Sequence, residues 1–320
     1  MIYNLENVFI RKYNYFNPVS YDILITQTTP SNFLIGVNFN GTTNGVIYMP
    51  IWSQWNDIVN TGNVWWVIDN NGNLYRSSDG RIWNYVAGLN ITNPYIYPSP
   101  AGATMFICSP TSNTYYYSQT PYTTFTQRTA PVGCAFSAMI YANGYVCGFG
   151  GSSNNQIYYA TLPNAISGTW TFINVANVRC GLDTKDCFCN ATSSWVGLNG
   201  TSSIGIYTTN PTSWTICTGI GCSFNNNGGA SNYFNARWIQ LANDGIYSTP
   251  AYLTVPWVKA TTIPSFNFPL NTLEIRGSAY AYVITKNSIL QSNNAQTWTN
   301  LFTTTYDLSR GAIYGSVKYA

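Results

Sequence analysis

The chain contains no histidine and only two glutamates, Glu6 and Glu274, among its 320 residues. Without imidazole the usual general base is missing, and with it the Ser-His-Asp and Cys-His arrangements. Charge is scarce too. Asp, Glu, Lys and Arg make up 7% of the sequence, against roughly 25% in an average soluble domain. The formal charge is +3, with eight Arg and five Lys scattered singly, so no basic stripe is available to neutralise a phosphate backbone, and nucleic acid is not an expected partner. Asn, Thr, Ser, Gly and Tyr take the surface positions instead.

Long apolar runs are also missing. No stretch approaches the eighteen or so residues that span a bilayer, and Met1 to Tyr13 carries Asn4, Glu6, Arg11 and Lys12 where a signal peptide would have its apolar centre. The expectation is a protein without membrane insertion, made without a secretory signal. The eight cysteines include no CxxC pair. Cys180, Cys187 and Cys189 cluster, with Cys217 and Cys222 close by, yet without histidine they do not make a zinc pattern. Mostly free thiols are expected, with no metal and no cofactor.

What the sequence has in quantity is hydrophobic residues, at 45%, and self-similarity. An apolar strand, an Asn- and Gly-rich turn, a short strand ending in an aromatic and a hydroxyl residue, and a turn leading to Trp recur in that order. The clearest copy runs Trp65-Trp66-Val67-Ile68, Asn70-Asn71-Gly72-Asn73, Leu74-Tyr75-Arg76-Ser77-Ser78-Asp79-Gly80 and Trp83. Asn-Gly and Asp-Gly between alternating segments signal β-hairpins. Tyr48, Tyr75, Tyr116, Tyr159, Tyr207, Tyr247 and Leu290 anchor seven copies at intervals of 27, 41, 43, 48, 40 and 43 residues. Such a period is that of a four-stranded propeller blade.

The predicted fold is therefore all-β, a single β-propeller domain over residues 1–320 with about seven four-stranded blades, six or eight remaining open. The short first interval marks a first copy that is misregistered or incomplete. One register starts its blade near Val8 and places Val46 to Met49 in the outer strand. Residues 1–30 read as less regular. Residues 306–320, centred on the alternating segment Gly311 to Tyr319, are expected to close the ring, because an open end leaves unpaired edge groups. No helical period is long enough to predict a helix.

Ser77-Ser78-Asp79-Gly80-Arg81-Ile82-Trp83 resembles the Asp-box, or BNR, turn of sialidase-like propellers, commonly written S-x-D-x-G-x-x-W. Ser292-Asn293-Asn294-Ala295-Gln296-Thr297-Trp298 is a weaker copy. Both are one residue short, and the second has Asn for Asp and Ala for Gly. The residues singled out, Ser77, Asp79, Gly80, Trp83, Ser292, Asn294 and Trp298, are expected to be structural: the carboxylate or amide caps its own turn, Gly takes the positive-φ position and Trp is buried between sheets. The resemblance also implies a sialidase, whose chemistry needs an arginine triad, a Tyr–Glu pair and an acid Asp. Arg11 and Lys12 stand before Tyr13-Asn14 with no Arg-Ile-Pro motif, so that function does not carry over.

Among ten carboxylates the one close pair is Asp183 and Asp186, with Lys185 between them. It reads as a solvated loop. No catalytic residue is assigned, and the expectation is a non-enzyme. Shortened Asp-box repeats of the form Tyr-Arg-Ser-Ser-Asp-Gly look like those in phage tail proteins. That resemblance implies a virion or appendage component, such as a tail-fibre, spike or capsid-associated propeller, made in a host cytoplasm and located on a virion or extracellular particle. Its partners would be other particle proteins, further copies of itself and a host-surface glycan. A lectin-like propeller is the alternative, with Trp52, Trp66 and Tyr115 to Tyr117 as aromatics beyond those that packing requires; a glycan-cleaving enzyme is the third. Sequons at Asn40, Asn90, Asn190 and Asn199 matter only in a glycosylating compartment.

Overall fold

Hairpins joined by Asn- and Gly-rich turns account for nearly all of the architecture. The computed structural model describes residues 22–313, apart from 40–42, 63, 100–102, 151–155, 176–187, 192–193, 199–204, 218–230, 235–236, 243–244, 251–256, 266–269 and 277–278. Within these residues the strands form seven four-stranded antiparallel sheets. Six use consecutive strands. The first sheet combines Leu308–Ile313 with Ile23–Gln27, Ser31–Val37 and Thr43–Ser53.

The leading strand of each sheet neighbours the leading strands of the next and the previous one. Trp55–Asn60 of the second sheet lies beside Tyr95–Pro98 of the third, and Leu308–Ile313 lies between Trp55–Asn60 and Leu270–Arg276 of the seventh. These strands form the inner wall of a closed ring. Hydrophobic cores then sit between sheets. Leu24, Leu34, Ile47 and Met49 of the first meet Trp55, Trp65, Val67 and Trp83 of the second; Val59, Trp66 and Leu74 meet Ile96, Met105 and Tyr116 of the third. Because both faces of a sheet are covered, strands such as Trp65–Asp69 and Thr104–Cys108 are buried throughout. The outer strand Asn84–Gly88 is exposed at both ends, and that gradient explains why inner strands read as continuous apolar runs.

Ring closure is the work of Leu308–Ile313, which pairs antiparallel with Ile23–Gln27: Ile23 faces Ile313, Leu24 faces Ala312 and Ile25 faces Gly311. At the bulge that follows, the Thr26 hydroxyl accepts the Arg310 N–H at 3.0 Å and donates to the Arg310 carbonyl at 3.3 Å. A side chain thus replaces the ladder partner that the bulge removes. The closing strand begins at Leu308, earlier than the alternation around Gly311 to Tyr319 suggests; residues 314–320 lie outside the described residues. Ile23–Gln27, within the stretch read as irregular, is a fully buried strand. Its regularity comes from the far end of the chain, which local sequence does not reveal.

Tyr48 explains the 27-residue interval. It lies on the fourth strand of its sheet, Thr43–Ser53, whereas Tyr75, Tyr116, Tyr159, Tyr207, Tyr247 and Leu290 lie on third strands. The register with Val46 to Met49 in an outer strand therefore holds; Val8 lies outside the described residues. One helix departs from expectation. Leu162–Ser167 forms six residues of helix with Pro163 in its first turn and Gly168 in the left-handed region at φ 88°. It is too short to show a period. Buried Ala165 accepts the Tyr115 hydroxyl at 2.5 Å, so the helix plugs the seam between third and fourth sheets.

Candidate functional site

The two Asp-box-like turns share one hydrogen-bond pattern. Asp79 Oδ1 accepts the Arg81 and Ile82 amides at 2.8 and 2.9 Å, while Ser77 Oγ accepts the Gly80 amide at 2.8 Å. In the weaker copy Asn294 Oδ1 accepts from Gln296 and Thr297 at 2.9 and 2.8 Å, and Ser292 Oγ accepts from Ala295 at 2.9 Å. Gly80 and Ala295 both have positive φ, 74° and 63°. Trp83 and Trp298 are buried in intersheet cores. The geometry therefore tolerates Asn and Ala, the strain at Ala295 being a local cost. Sequence reading missed a third turn of this kind. Asn210 caps Thr212 at 3.1 Å and Thr208 Oγ1 accepts the Asn210 amide at 2.9 Å, six residues before Trp214 as in the other two.

Four of the five carboxylates whose side chains are described, Asp22, Asp57, Asp69 and Asp79, accept hydrogen bonds that fasten turns and strands. Asp57 accepts the Ile58 and Ile96 amides at 3.0 and 2.9 Å, joining the inner strands of second and third sheets. Asp69 accepts Ser53 Oγ, the Asn71 and Asn73 amides and Asn73 Nδ2, all within 2.9 Å. Asp22 caps Phe39 at 2.9 Å, and Asp307 lies 3.7 Å from Lys286. Burial alone would raise the Asp79 carboxyl; the Ile82 and Arg81 amides and the Ser77 hydroxyl outweigh it and hold it below its ordinary value. Asp183 and Asp186 lie outside the described residues.

Cys108, Cys134 and Cys147 are free, buried thiols. Burial pushes Cys134 up to about 12 and the other two well above the ordinary thiol value, which makes them inert packing groups. The side chains of the other five cysteines are not among those described. Among the described residues there is no cluster of three His, Cys, Asp or Glu side chains, and no helix is long and apolar enough to cross a membrane.

The expected binding aromatics separate. Trp66, Tyr115 and Tyr116 are buried and structural, whereas Trp52 is 68% exposed. Trp66 nevertheless underlies a cleft of about 540 Å³ between the second and third sheets. Arg76, Ser78 and Asn84 line one side; Thr120, Pro121 and Tyr122 line the other. The Trp66 indole donates to Thr61 Oγ1 at 3.0 Å, and its ring meets Tyr122 edge-on at 5.5 Å. Tyr122 has φ 61°, an outlier for a bulky residue, with its amide held by the Gln119 carbonyl at 2.7 Å. The lining combines a guanidinium, an amide and hydroxyls with aromatic and proline surface. Among the described residues it contains no carboxylate or thiol. Such a set can recognise a hydroxylated ligand by hydrogen bonds and ring contact. Asn90, the one sequon residue whose side chain is described, is exposed nearby in the chain.

No family model matches the chain, and no curated protein matches it in sequence. Solved structures do. A chain of a nidogen/laminin complex aligns with a TM-score of 0.53 at 11% identity, over 93% of this chain and 99% of that one. YCF48 bound to a D1 peptide aligns at 0.58 and 14% identity, over 78% and 83%. A quinonprotein alcohol dehydrogenase-like protein from Bacteroides thetaiotaomicron aligns at 0.62 and 10%, over 92% and 78%. The fold is a β-propeller. Identities this low establish the propeller alone and carry no ligand, partner or activity across.

Proposed function

We propose that this propeller is a non-enzymatic component of a virion or appendage, of the tail-fibre, spike or capsid-associated kind. It works by assembly with other particle proteins and by contact with a host-surface glycan. The observation that carries the reading is the division of labour among polar side chains. Four of the five described carboxylates are spent on turns and intersheet ties, while the open cleft presents Arg76, Asn84 and Ser78 against Tyr122 and Pro121. The Asp-box-like turns add the resemblance to tail-protein repeats. Localisation on an extracellular particle follows from that resemblance and from the neutral, Asn/Thr/Tyr-rich surface. A lectin-like protein is the second reading, favoured by the same cleft, in which glycan capture is the whole activity.

The test incubates the purified chain with a panel of host-surface glycans and with neighbouring particle proteins, following binding and product release. Glycan binding lost in Arg76→Ala and Asn84→Ala, with no product released, supports the cleft reading. With one guanidinium in the site, affinity should change little from low to moderate salt. Cleavage abolished by replacing a single Asp or Glu would overturn the non-enzyme reading. Co-assembly with particle proteins separates the structural role from a pure lectin.

A further inference from the structure

Trp66, Arg76 and Asn84 are register partners on three neighbouring strands of the second sheet, Trp66 opposite Arg76 and Arg76 opposite Asn84. They therefore form one row on the face turned to the cleft, with guanidinium and amide on adjacent strands whose Cβ atoms lie about 5 Å apart. Other sheets satisfy the same position internally. In the third, Tyr117 follows its anchor as Arg76 follows Tyr75; its hydroxyl accepts from Arg128 at 3.4 Å, and that guanidinium covers its ring at 5.3 Å. In the sixth, the Ser248 hydroxyl accepts from Arg237 Nε at 3.2 Å and from Gln296 Nε2, which reaches over from the turn of the seventh sheet. At the cleft the facing turn supplies Thr120, Pro121 and Tyr122 instead, with no acid. The side chains of Arg76, Ser78 and Asn84 have no hydrogen-bond or ion-pair partner among the described residues. Asp79, three residues on, is committed to its own turn through the Arg81 and Ile82 amides.

We propose that the cleft selects acidic saccharides, the sugar's oxyanion supplying the partner that Arg76 lacks. This rests on the reading of the cleft as a glycan site and names the class of glycan. A guanidinium presents a planar fork of donors that matches a carboxylate at two points, and bonds of this kind are about twice as strong as neutral ones. Asn84 and Ser78 stand beside it to take hydroxyl oxygens, while Pro121 and the Tyr122 ring offer the apolar surface on which a pyranose face rests. Trp66 and Tyr122 are buried beneath, at 1% and 7% exposure, so the pair forms beside a dry wall and is worth more than one on open surface. A single pair in that setting is screened weakly, in keeping with a small response to salt. A sulfate ester carries the same oxyanion chemistry as a carboxylate, and the two are separated by measurement.

Titration calorimetry of the full chain with a hexuronate oligosaccharide, its carboxyl-reduced neutral form and a sulfated derivative of that neutral form tests this. The acidic form should bind about tenfold more tightly than the reduced one. Arg76→Gln, which keeps donors and loses the charge, should bind the two forms alike, and Arg76→Lys should keep part of the preference. Arg81→Gln, in the same turn but outside the cleft lining, removes an equal charge and should keep all of it. A sulfated form that regains the tenfold advantage only when Arg76 is present supports the pairing and widens it to any oxyanion; one that does not regain it supports a carboxylate-specific site. Equal affinity of the wild type for the acidic and reduced forms overturns the proposal and leaves the glycan site standing. A preference that survives Arg76→Gln, or that Arg81→Gln abolishes equally, overturns it too. Absence of binding to all three forms and to the wider glycan panel overturns the glycan reading itself.

Discussion

Replacing Asp69 by alanine should destabilise the ring measurably from a position far from any ligand. The side chain is completely buried and takes four hydrogen bonds, from Ser53 Oγ, the Asn71 and Asn73 amides and Asn73 Nδ2. The turn it organises also anchors the connections on both sides. Asn70 N–H donates to the Gln54 carbonyl, Leu89 N–H to Gly72 and Asn93 N–H to the Asn70 carbonyl, each at 2.9 Å. Asn71 is exposed and Asn73 half-buried, so their freed groups regain water, but the Ser53 hydroxyl is left buried. Bonds to a charged acceptor are worth about 1.5–3 kcal/mol each before that recovery, which leaves a net loss of about 2–4 kcal/mol. Spread over 320 residues, an unfolding entropy of about 2.1 cal/mol/K per residue converts this to a Tm drop of about 3–6 °C. Asp69→Asn keeps one oxygen for the two backbone amides and should lose only about 1 kcal/mol. Thermal melts by near-UV circular dichroism, with Ser53→Ala and the double variant completing the cycle, measure all of this. A melt of Asp69→Ala within a degree of wild type, or additive Ser53 and Asp69 effects, would refute the reasoning.

Ending the chain at Asp307 removes the inner strand of the first sheet and exposes Ile23–Gln27; the truncated protein should aggregate and lose its cooperative melt, as turbidity and calorimetry would report, and a truncation melting like the full chain would contradict the closure. The depressed Asp79 pKa means that its contribution is present above the ordinary value of 3.8 and is lost as pH falls through the lower folded value. Asp79→Asn, which copies the Asn294 turn, should therefore narrow its stability gap to wild type as pH drops below about 4. A gap that stays constant with pH would count against that account.

Much of the ring was legible because blades repeat and turns carry their own chemistry. Asn70-Asn71-Gly72, Asp79-Gly80 and the recurring Trp are local signals, readable one copy at a time. The third capped turn, Thr208 to Trp214, was obscured because Asn210 and Pro211 replace the Asp and the glycine-bearing positions. Asp69 and Asp57 gave no signal at all: each is a lone carboxylate beside apolar strand residues, and its role appears only when adjacent sheets meet. The cleft was invisible for the same reason, since Arg76 and Tyr122 are brought together across two sheets although 45 positions of ordinary repeat lie between them.

Alone, the amino-acid order determined that this chain makes hairpins, that the hairpins repeat, and that catalysis depending on histidine is closed to it, because these properties reside in residue types and short spacings. Tertiary structure decided which ends meet and which aromatics face water. Leu308–Ile313 finds Ile23–Gln27 across nearly the whole chain, and Trp66 is buried while Trp52 is not. Those outcomes depend on neighbouring sheets covering one face and leaving another open, and no local pattern encodes how far that cover extends.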